Sequence, residues 1–302
     1  MKIILVSGAT GLVGSALLPS LREHGCLCKR LVRTGHAGAG SSAGDVQWDP
    51  NAEQLDPGAF AGVDAVVHLA GENIAGRWSA EKKEAIRESR VRGTRLLAET
   101  LAGMANPPAT FVCASAIGYY GSRGGEILTE ASAAGSDFLA EVCHEWEAAA
   151  APATKKNIRV VNLRLGVVLS AGGGALKKML PPFRLGLGGP IGNGKQYWSW
   201  IAIGDVIGAI EHALNTPAVS GAVNVVAPNP ATNAEFTAAL GRALHRPAFL
   251  PMPAFAAHLL LGEMADALLL ASTRVKPEKL VASGYTFKYP ELDGALEHIL
   301  QR

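Results

Sequence analysis

Three evenly spaced glycines near the start of the chain have the clearest chemical meaning. Gly8, Gly11 and Gly14 follow a short aliphatic strand predicted over 2–7, and they open a segment with helical periodicity. Glycines at this spacing allow a tight turn, a close approach of the backbone to a diphosphate, and close packing of the helix on the sheet. Free N–H groups and the helix dipole attract the phosphate charge. The pattern predicts a dinucleotide-binding loop, with a ligand-free turn as the alternative, and its predicted binding residues are Gly8, Thr10, Gly11, Leu12, Val13 and Gly14.

The end of the second predicted strand selects between the two nicotinamide cofactors. An acidic residue there would bind the adenosine ribose and repel a phosphate. This chain instead has the sequence LVRT over 31–34, with no Asp or Glu nearby. Arg33 can form charge-assisted hydrogen bonds with a 2′-phosphate, whereas a solvated surface arginine is the alternative. We therefore predict NADP(H) as the cofactor.

Strands and helices must alternate to position this loop. Gly25 is placed to end the first helix, and residues 35–44 form a predicted exposed loop. The pattern predicts an α/β fold, a doubly wound parallel Rossmann sheet with a smaller C-terminal α/β portion. We assign residues 1–170 to an NADP(H)-binding domain, which can also take in the strand at 222–226, and residues 171–302 to a substrate-pocket domain. The other predicted strands cover 28–33, 65–70, 110–115 and 159–165, and the predicted helices cover 79–102, 138–150 and 232–244.

Composition excludes several classes of partner. The 302 residues carry a formal net charge of +2, with 48% hydrophobic and 18% charged residues and no basic run, which argues against nucleic acid. No signal peptide is visible, and no apolar run is long enough to span a membrane. The four cysteines lack zinc-ligand spacing. We predict a cytoplasmic protein with a small-molecule substrate, no metal and no membrane partner. Helices 79–102 and 138–150 could pair two subunits, so both a monomer and a homodimer stay open.

Several longer motifs resemble a known group of proteins. Together with the glycine loop, the segments at 68–73 (HLAGEN), 115–121 (SAIGYYG) and 164–169 (RLGVVL) resemble an extended short-chain dehydrogenase/reductase. The segments at 186–196, 199–201 and 262–264 narrow the resemblance to the "epimerase family", an atypical subgroup of sugar-nucleotide epimerase-like proteins with its own C-terminal domain. The resemblance spans essentially the whole chain.

The resemblance implies further cofactor-binding positions. In such proteins the backbone after the third strand passes the adenine and ribose, and the strand near Val168 runs beneath the nicotinamide. Two charged residues on the following helix also fall near the cofactor, although a solvated helical charge pattern is the alternative for them. The positions implied are Leu69, Ala70, Gly71, Glu84, Arg90 and Val168.

The catalytic positions depart from the family pattern. Extended reductases use a Ser and a Tyr-x-x-x-Lys pair, in which the lysine lowers the pKa of the tyrosine. Alignment places Ala116, Leu139 and Cys143 at these three positions, and no Tyr-x-x-x-Lys occurs in the chain. The catalytic residues therefore stay unassigned at this point.

Other residues are candidates for the missing roles. Tyr120, after the end of a strand, is the most attractive proton donor, and a packed residue in the pocket wall is the alternative for it. Ser115, Tyr119 and Glu72 also lie at the carboxyl ends of strands. His144 fits a solvated position on a helix.

The glycine-rich segment 181–200 is a candidate substrate floor. Arg184, Lys195 and Gln196 could bind an anionic or hydroxyl-rich ligand, and Trp198 or Trp200 could stack on a ring; packing of the tryptophans on C-terminal helices is the alternative. The resemblance implies an NADP(H)-dependent oxidoreductase or epimerase-like protein acting on a small or nucleotide-linked sugar or carbonyl compound. A non-catalytic NADP(H)-binding redox sensor is the alternative.

Overall fold

The computed structural model describes residues 1–35 and 45–301, so most of the loop predicted over 35–44 lies outside the described residues. The strands are β1 Ile3–Ser7, β2 Leu27–Arg33, β3 Val46–Asp49, β4 Gln54–Leu55, β5 Ala65–His68, β6 Thr110–Ala116, β7 Ile127–Leu128, β8 Arg159–Leu165, β9 Val167–Leu169, β10 Tyr197–Trp198, β11 Trp200–Ala202, β12 Gly221–Val225, β13 Ala231–Thr232 and β14 Arg274–Val275. The α-helices are α1 Leu12–Glu23, α2 Ala80–Gly103, α3 Phe138–Ala150, α4 Gly174–Arg184, α5 Ile203–Asn215, α6 Asn233–Leu244, α7 Ala254–Leu261, α8 Glu278–Ala282 and α9 Leu292–Leu300. Short 3₁₀ segments cover Pro57–Phe60, Ile117–Tyr120 and Ala151–Lys156, and a π-helical turn covers Ala265–Leu270.

The main sheet has the predicted doubly wound arrangement. Its strand order is β12-β8-β6-β5-β1-β2-β3-β4, and its strands are parallel except for the antiparallel β3–β4 pair. The chain leaves β1 in one direction through β2 and returns on the other side through β5. Ligands bind at such a switch point, outside the carboxyl ends of the strands, so the topology places the glycine loop where a dinucleotide is expected.

Both faces of this sheet are buried, which explains its continuous aliphatic strands. In β1, Ile4 and Val6 face one hydrophobic cluster, which includes residues of α1 and α5, whereas Leu5 faces a second cluster with residues of α2 and α3. A strand covered on both sides needs apolar residues at successive positions rather than at alternate ones.

The helix ends follow the local chemistry of the sequence. Gly25 has φ +76°, and the Cys26 N–H bonds the Leu21 carbonyl at 2.9 Å, which closes α1 as predicted. The Ser79 hydroxyl accepts a hydrogen bond from the Lys82 N–H at the start of α2. A capping box joins Thr232 and Glu235 at the start of α6.

The strands β3 and β4, the last two at one side of the main sheet, were not predicted. They contain four and two residues, too few for a clear alternation. Trp48 on β3 is nevertheless buried, and its ring meets that of His68 edge-on with centroids 5.8 Å apart.

The C-terminal portion has its own core beside the sheet. That core joins Leu176, Leu180 and Phe183 of α4 with residues of α6 and α9. Between these elements, α5 packs on α1 and β12 extends the main sheet, so the chain crosses back after residue 170. Within the described residues, no helix is long and apolar enough to cross a membrane.

Candidate functional site

Two glycines of the loop are required by the packing of the backbone, whereas the third, Gly11, has an exposed surface. Gly8 has φ +66°, and a Cβ there would lie 2.6 Å from the backbone carbon of Leu69. A Cβ at Gly14 would collide with the carbonyl oxygen of Gly8. Gly11 has extended backbone angles (φ −73°, ψ 174°), is exposed, and precedes α1 without any side-chain cap on the helix amides. Open N–H groups and a bare loop surface are what a diphosphate requires.

Ser7 fixes the neighbouring loop, a role that the sequence analysis missed. Its Oγ lies 2.6 Å from His68 Nδ1 and accepts hydrogen bonds from the N–H groups of Leu69 (3.1 Å) and Ala70 (3.4 Å). Burial lowers the pKa of His68 to about 3, with a smaller contribution from Arg33, so the imidazole is neutral at pH 7. The pair therefore holds the segment after β5 against Gly8, in the place that the family resemblance implies for the adenine and ribose.

A cationic cluster lies beside this segment. The Lys82 ammonium donates to Glu72 at 2.7 Å and holds the pKa of that carboxyl below its usual value, and Arg33 and Arg90 lower it further. A Cβ at Gly71 would lie 3.4 Å from Arg90 Cζ, and burial lowers the pKa of Arg90. No described residue hydrogen-bonds the Arg33 guanidinium. Three cations around one carboxylate leave net positive charge at the end of β2.

The remaining predicted cofactor residues lie on either side of this cluster. A Cβ at Gly174 would approach Leu12 Cδ2 at 3.0 Å and the carbonyl oxygen of Val168 at 3.7 Å, so Val168 and the glycine loop adjoin. Thr10 is exposed and Val13 is half-buried. Glu84 is exposed and lines an open groove with Lys83, Arg87 and Phe138.

Packed side chains occupy the positions of the tyrosine and lysine that this chain lacks. Leu139 and Cys143 are both buried, and a Cβ at Gly118 would lie 3.4 Å from Leu139 Cβ and 3.7 Å from Cys143 Sγ. Burial raises the pKa of Cys143 to about 12. Leu139 has no titratable group, and the raised pKa keeps the Cys143 thiol un-ionised at neutral pH.

Tyr120 and Ser115 are engaged in a buried polar network. The Tyr120 hydroxyl is fully buried, donates to Asn224 Oδ1 at 2.7 Å and accepts from Arg164 Nη1 at 2.9 Å. Burial raises its pKa, and Arg164 offsets this in part. Ser115 donates to Glu147 at 2.7 Å. The packed-residue alternative therefore describes Tyr120, and the proton-donor interpretation does not fit its geometry.

Glu147 and Arg164 form the centre of the network. Arg164 Nε and Nη2 each lie 2.8 Å from a Glu147 carboxylate oxygen, and the Arg164 guanidinium stacks 3.4 Å from the Tyr119 ring centroid. The fourth candidate, Glu72, pairs with Lys82, and His144 is exposed as predicted for a solvated helical position.

The segment 181–200 is a packed scaffold rather than a stacking surface. Trp198 and Trp200 are 5% and 0% exposed, and their Nε1 groups donate to the carbonyls of Leu269 and Asn229. Gln196 is buried and its amide nitrogen donates to the carbonyls of Ile191 and Leu269, which favours the packing alternative for this side chain. Arg184 and Lys195 are exposed.

The motif at 262–264 ties the C-terminal portion to the loop after β5. The Met264 thioether accepts from the Gly76 N–H at 3.1 Å, and Lys83 Nζ lies 2.7 Å from Glu263 Oε1. Among the described residues, no group of three or more His, Cys, Asp or Glu could hold a metal ion. The sheet, its switch point and the open glycine loop define a Rossmann-type dinucleotide-binding protein.

Comparison with known proteins identifies the family. Residues 4–226 match the NAD dependent epimerase/dehydratase family, and residues 252–299 match a domain of unknown function, DUF1731. The epimerase family protein Mb2239 of Mycobacterium bovis is 41% identical over 301 residues, covering 99% of this chain and 98% of that protein. The chain belongs to the NAD dependent epimerase/dehydratase family, as the resemblance predicts.

Solved structures agree with this assignment. Human epimerase family protein SDR39U1, crystallised with NADPH, superposes with a TM-score of 0.89 at 37% identity, covering 99% of each chain. The nucleoside-diphosphate sugar epimerase from Corynebacterium glutamicum superposes with a TM-score of 0.80 at 39% identity, covering 99% of this chain and 58% of that one. The first of these relatives was crystallised with the cofactor that the end of β2 predicts here.

Proposed function

We propose that this chain binds NADP(H) across the carboxyl ends of β1, β2 and β5. The uncapped N–H groups at the start of α1, after Gly11, are suited to the pyrophosphate. Arg33, whose guanidinium no described residue hydrogen-bonds, lies with Arg90 around Glu72 and is suited to the 2′-phosphate. The single observation that carries the proposal is the combination of a bare loop at Gly11 with surplus positive charge at the end of β2. The NADPH held by the human relative supports the same cofactor.

The cofactor preference provides the first test. We expect tighter binding of NADPH than of NADH, and we expect Arg33→Ala to reduce NADPH affinity by about 1.5–3 kcal/mol, because a charge-assisted hydrogen bond is lost. Isothermal titration of both cofactors measures the effect. Arg95→Ala, an exposed arginine on α2, is the matched control and should bind like the wild type. Equal affinities of the wild type for NADPH and NADH would contradict the assignment.

For the reaction, we propose an oxidoreductase or epimerase-like activity on a small or nucleotide-linked sugar or carbonyl compound. When bound, NADPH supplies a hydride. The name of the Corynebacterium relative supports a sugar-nucleotide substrate. Leu139 is apolar, Cys143 is un-ionised, and the Tyr120 hydroxyl is buried and hydrogen-bonded to Asn224 and Arg164. This chain therefore lacks the usual proton donor. Any activity must therefore protonate the substrate through another group or through water.

A redox-sensing protein without turnover is the second candidate. The observation in its favour is the packing of Gly118 against Leu139 and Cys143, which fills the usual catalytic space with apolar atoms. Such a protein would bind NADP(H) with the affinity tested above and consume none of it.

Single-turnover oxidation of bound NADPH separates the two candidates. We expect conventional sugar-nucleotide epimerisation to be slow by about 10²–10⁴-fold, the usual contribution of general acid–base catalysis. Wild type, Tyr120→Phe and Ser115→Ala would each be mixed with a panel of carbonyl compounds. We expect the variants to lose stability and to keep any wild-type rate, since both hydroxyls are buried. A tenfold slower step in Tyr120→Phe at unchanged NADPH affinity would contradict this, and no oxidation by any compound would favour the sensor.

A further inference from the structure

The C-terminal portion exposes an unusual number of large apolar side chains. Single exposed apolar residues are normal on a protein surface, whereas a contiguous set marks an interaction site. Here the exposed set comes from two neighbouring segments and consists of Leu185, Leu187, Phe249, Leu250, Met252, Phe255, Leu259 and Leu260, which together are named the apolar strip.

Backbone contacts bring the two segments of the apolar strip together. The Leu250 N–H bonds the Gly188 carbonyl at 3.1 Å, and the Met252 N–H bonds the Pro190 carbonyl at 2.9 Å. Helix α7 begins two residues after Met252. The strip therefore runs from the end of α4, along these paired segments, and onto α7.

Helix α7 is oriented with an apolar face outward. Phe255 and Leu259 are four residues apart, share one face of the helix, and are 74% and 70% exposed. Ala257, the buried residue of α7, lies on the opposite side. Large side chains lie on the outer face and a small one lies on the inner face, which is the reverse of an ordinary surface helix.

The two sequence segments that form the apolar strip carry charged side chains of one sign only. Residues 172–204 and 236–262, which contain the whole strip, include no Asp or Glu, although the net charge of the whole chain is only +2. The same segments carry Lys177, Lys178, Arg184, Lys195, Arg242 and Arg246. Arg246 Nε lies 3.1 Å from the Arg184 carbonyl, which places both arginines at the α4 end of the strip.

Three carboxylates that follow these segments in sequence or pair with their cations already have partners. Glu263 pairs with Lys83, Asp266 with His258, and Asp293 with Arg242. A second copy docked on the same strip would bring like charges together, whereas an anionic surface would meet cations along the α4 side.

From this arrangement we propose that the apolar strip docks on an anionic lipid bilayer. Phe255 and Leu259 enter the interface, and Lys177 and Arg184 approach the headgroups. Exposed phenylalanine and leucine side chains on α7, beside basic side chains supplied by α4, are a combination that favours binding to an anionic membrane interface. The sequence predicts no membrane partner because its apolar runs are too short to span, but a helix lying in the interface needs no such length. The proposal does not depend on which reaction the protein catalyses. It adds to the NADP(H) proposal the place where the cofactor would be bound, the surface of a membrane.

Vesicle flotation of the full chain provides the test. We expect the wild type to float with vesicles of phosphatidylcholine and phosphatidylserine, much less with phosphatidylcholine alone, and less at high salt. Phe255→Ser with Leu259→Ser, and separately Lys177→Gln with Arg184→Gln, should each reduce binding by about tenfold or more. Protection by NADPH against heat should be unchanged in both, since neither pair is among the predicted cofactor-binding residues.

Matched controls distinguish binding by the apolar strip from nonspecific adsorption to vesicles. Ile127→Ser with Val281→Ser removes two side chains that are 52% and 58% exposed elsewhere, and Lys155→Gln with Lys156→Gln removes two exposed lysines. Both controls should float like the wild type. The proposal is overturned if the wild type does not float or if the controls lose as much binding. It is also overturned if the strip variants only disperse a dimer, which would make the strip an interface between copies.

Discussion

Replacing Arg164 by methionine is expected to lower the free energy of unfolding by about 3–5 kcal/mol, the usual cost of removing one partner from a buried ion pair. The Arg164 and Glu147 side chains are 4% and 13% exposed, and their two hydrogen bonds are each 2.8 Å long. The substitution leaves the Glu147 charge buried with Ser115 as its partner in the network. It also removes a hydrogen bond from the Tyr120 hydroxyl and the cation above the Tyr119 ring.

Urea unfolding measures this loss, and the chain provides a close control. Arg123 also forms two hydrogen bonds to one glutamate, Glu126, both at 2.9 Å, but these side chains are 32% and 48% exposed. Arg123→Met should therefore cost about 0–1 kcal/mol. We expect the midpoint to fall in Arg164→Met with an unchanged slope. Similar losses in the two variants would show that burial does not decide the strength of the Arg164 pair.

The second large effect is expected at Gly11. Gly11→Val should reduce NADPH affinity by about 100-fold or more, because the valine side chain occupies the space of the pyrophosphate. The fold should persist, since φ −73° and ψ 174° suit valine and the nearest atom to a Cβ is the Gly8 carbonyl oxygen at 3.2 Å. A helix cap changed from glycine to valine costs about 1 kcal/mol. Titration with NADPH and circular dichroism measure the two properties separately.

Comparison with the other glycines makes this test specific. Gly8→Val and Gly14→Val should lose the folded state, because a Cβ at Gly8 would lie 2.6 Å from the Leu69 carbonyl carbon and one at Gly14 would collide with the Gly8 carbonyl oxygen, both closer than van der Waals contact allows. Gly125→Val is the neutral control, since its Cβ position has nothing within 4 Å and its φ lies outside the left-handed region. If Gly11→Val binds NADPH like the wild type, the cofactor does not cross the loop at this residue.

Features controlled by neighbouring residues were predictable from the sequence. The glycine loop, the alternation of aliphatic strands with capped helices, and the end of α1 at Gly25 each depend on a few consecutive residues. The bounds of α3 and β8 were predicted without error for the same reason. The absence of a Tyr-x-x-x-Lys pair is likewise a property of the sequence itself. Together these features were sufficient for the Rossmann fold and for the family.

The tertiary structure decided the role of each polar or aromatic side chain near the site. Tyr120 meets Asn224 and Arg164 from strands 104 and 44 residues away in sequence, and these contacts occupy its hydroxyl. Ser7 reaches a loop 61–63 residues further along the chain, and Trp198 reaches a carbonyl 71 residues further along. Burial and hydrogen bonding of a side chain depend on such distant elements, so the residue type and its spacing in the sequence do not determine them. The same reason applies to the apolar strip: leucine and phenylalanine predict burial from the sequence, and only the packed chain shows which of them remain exposed.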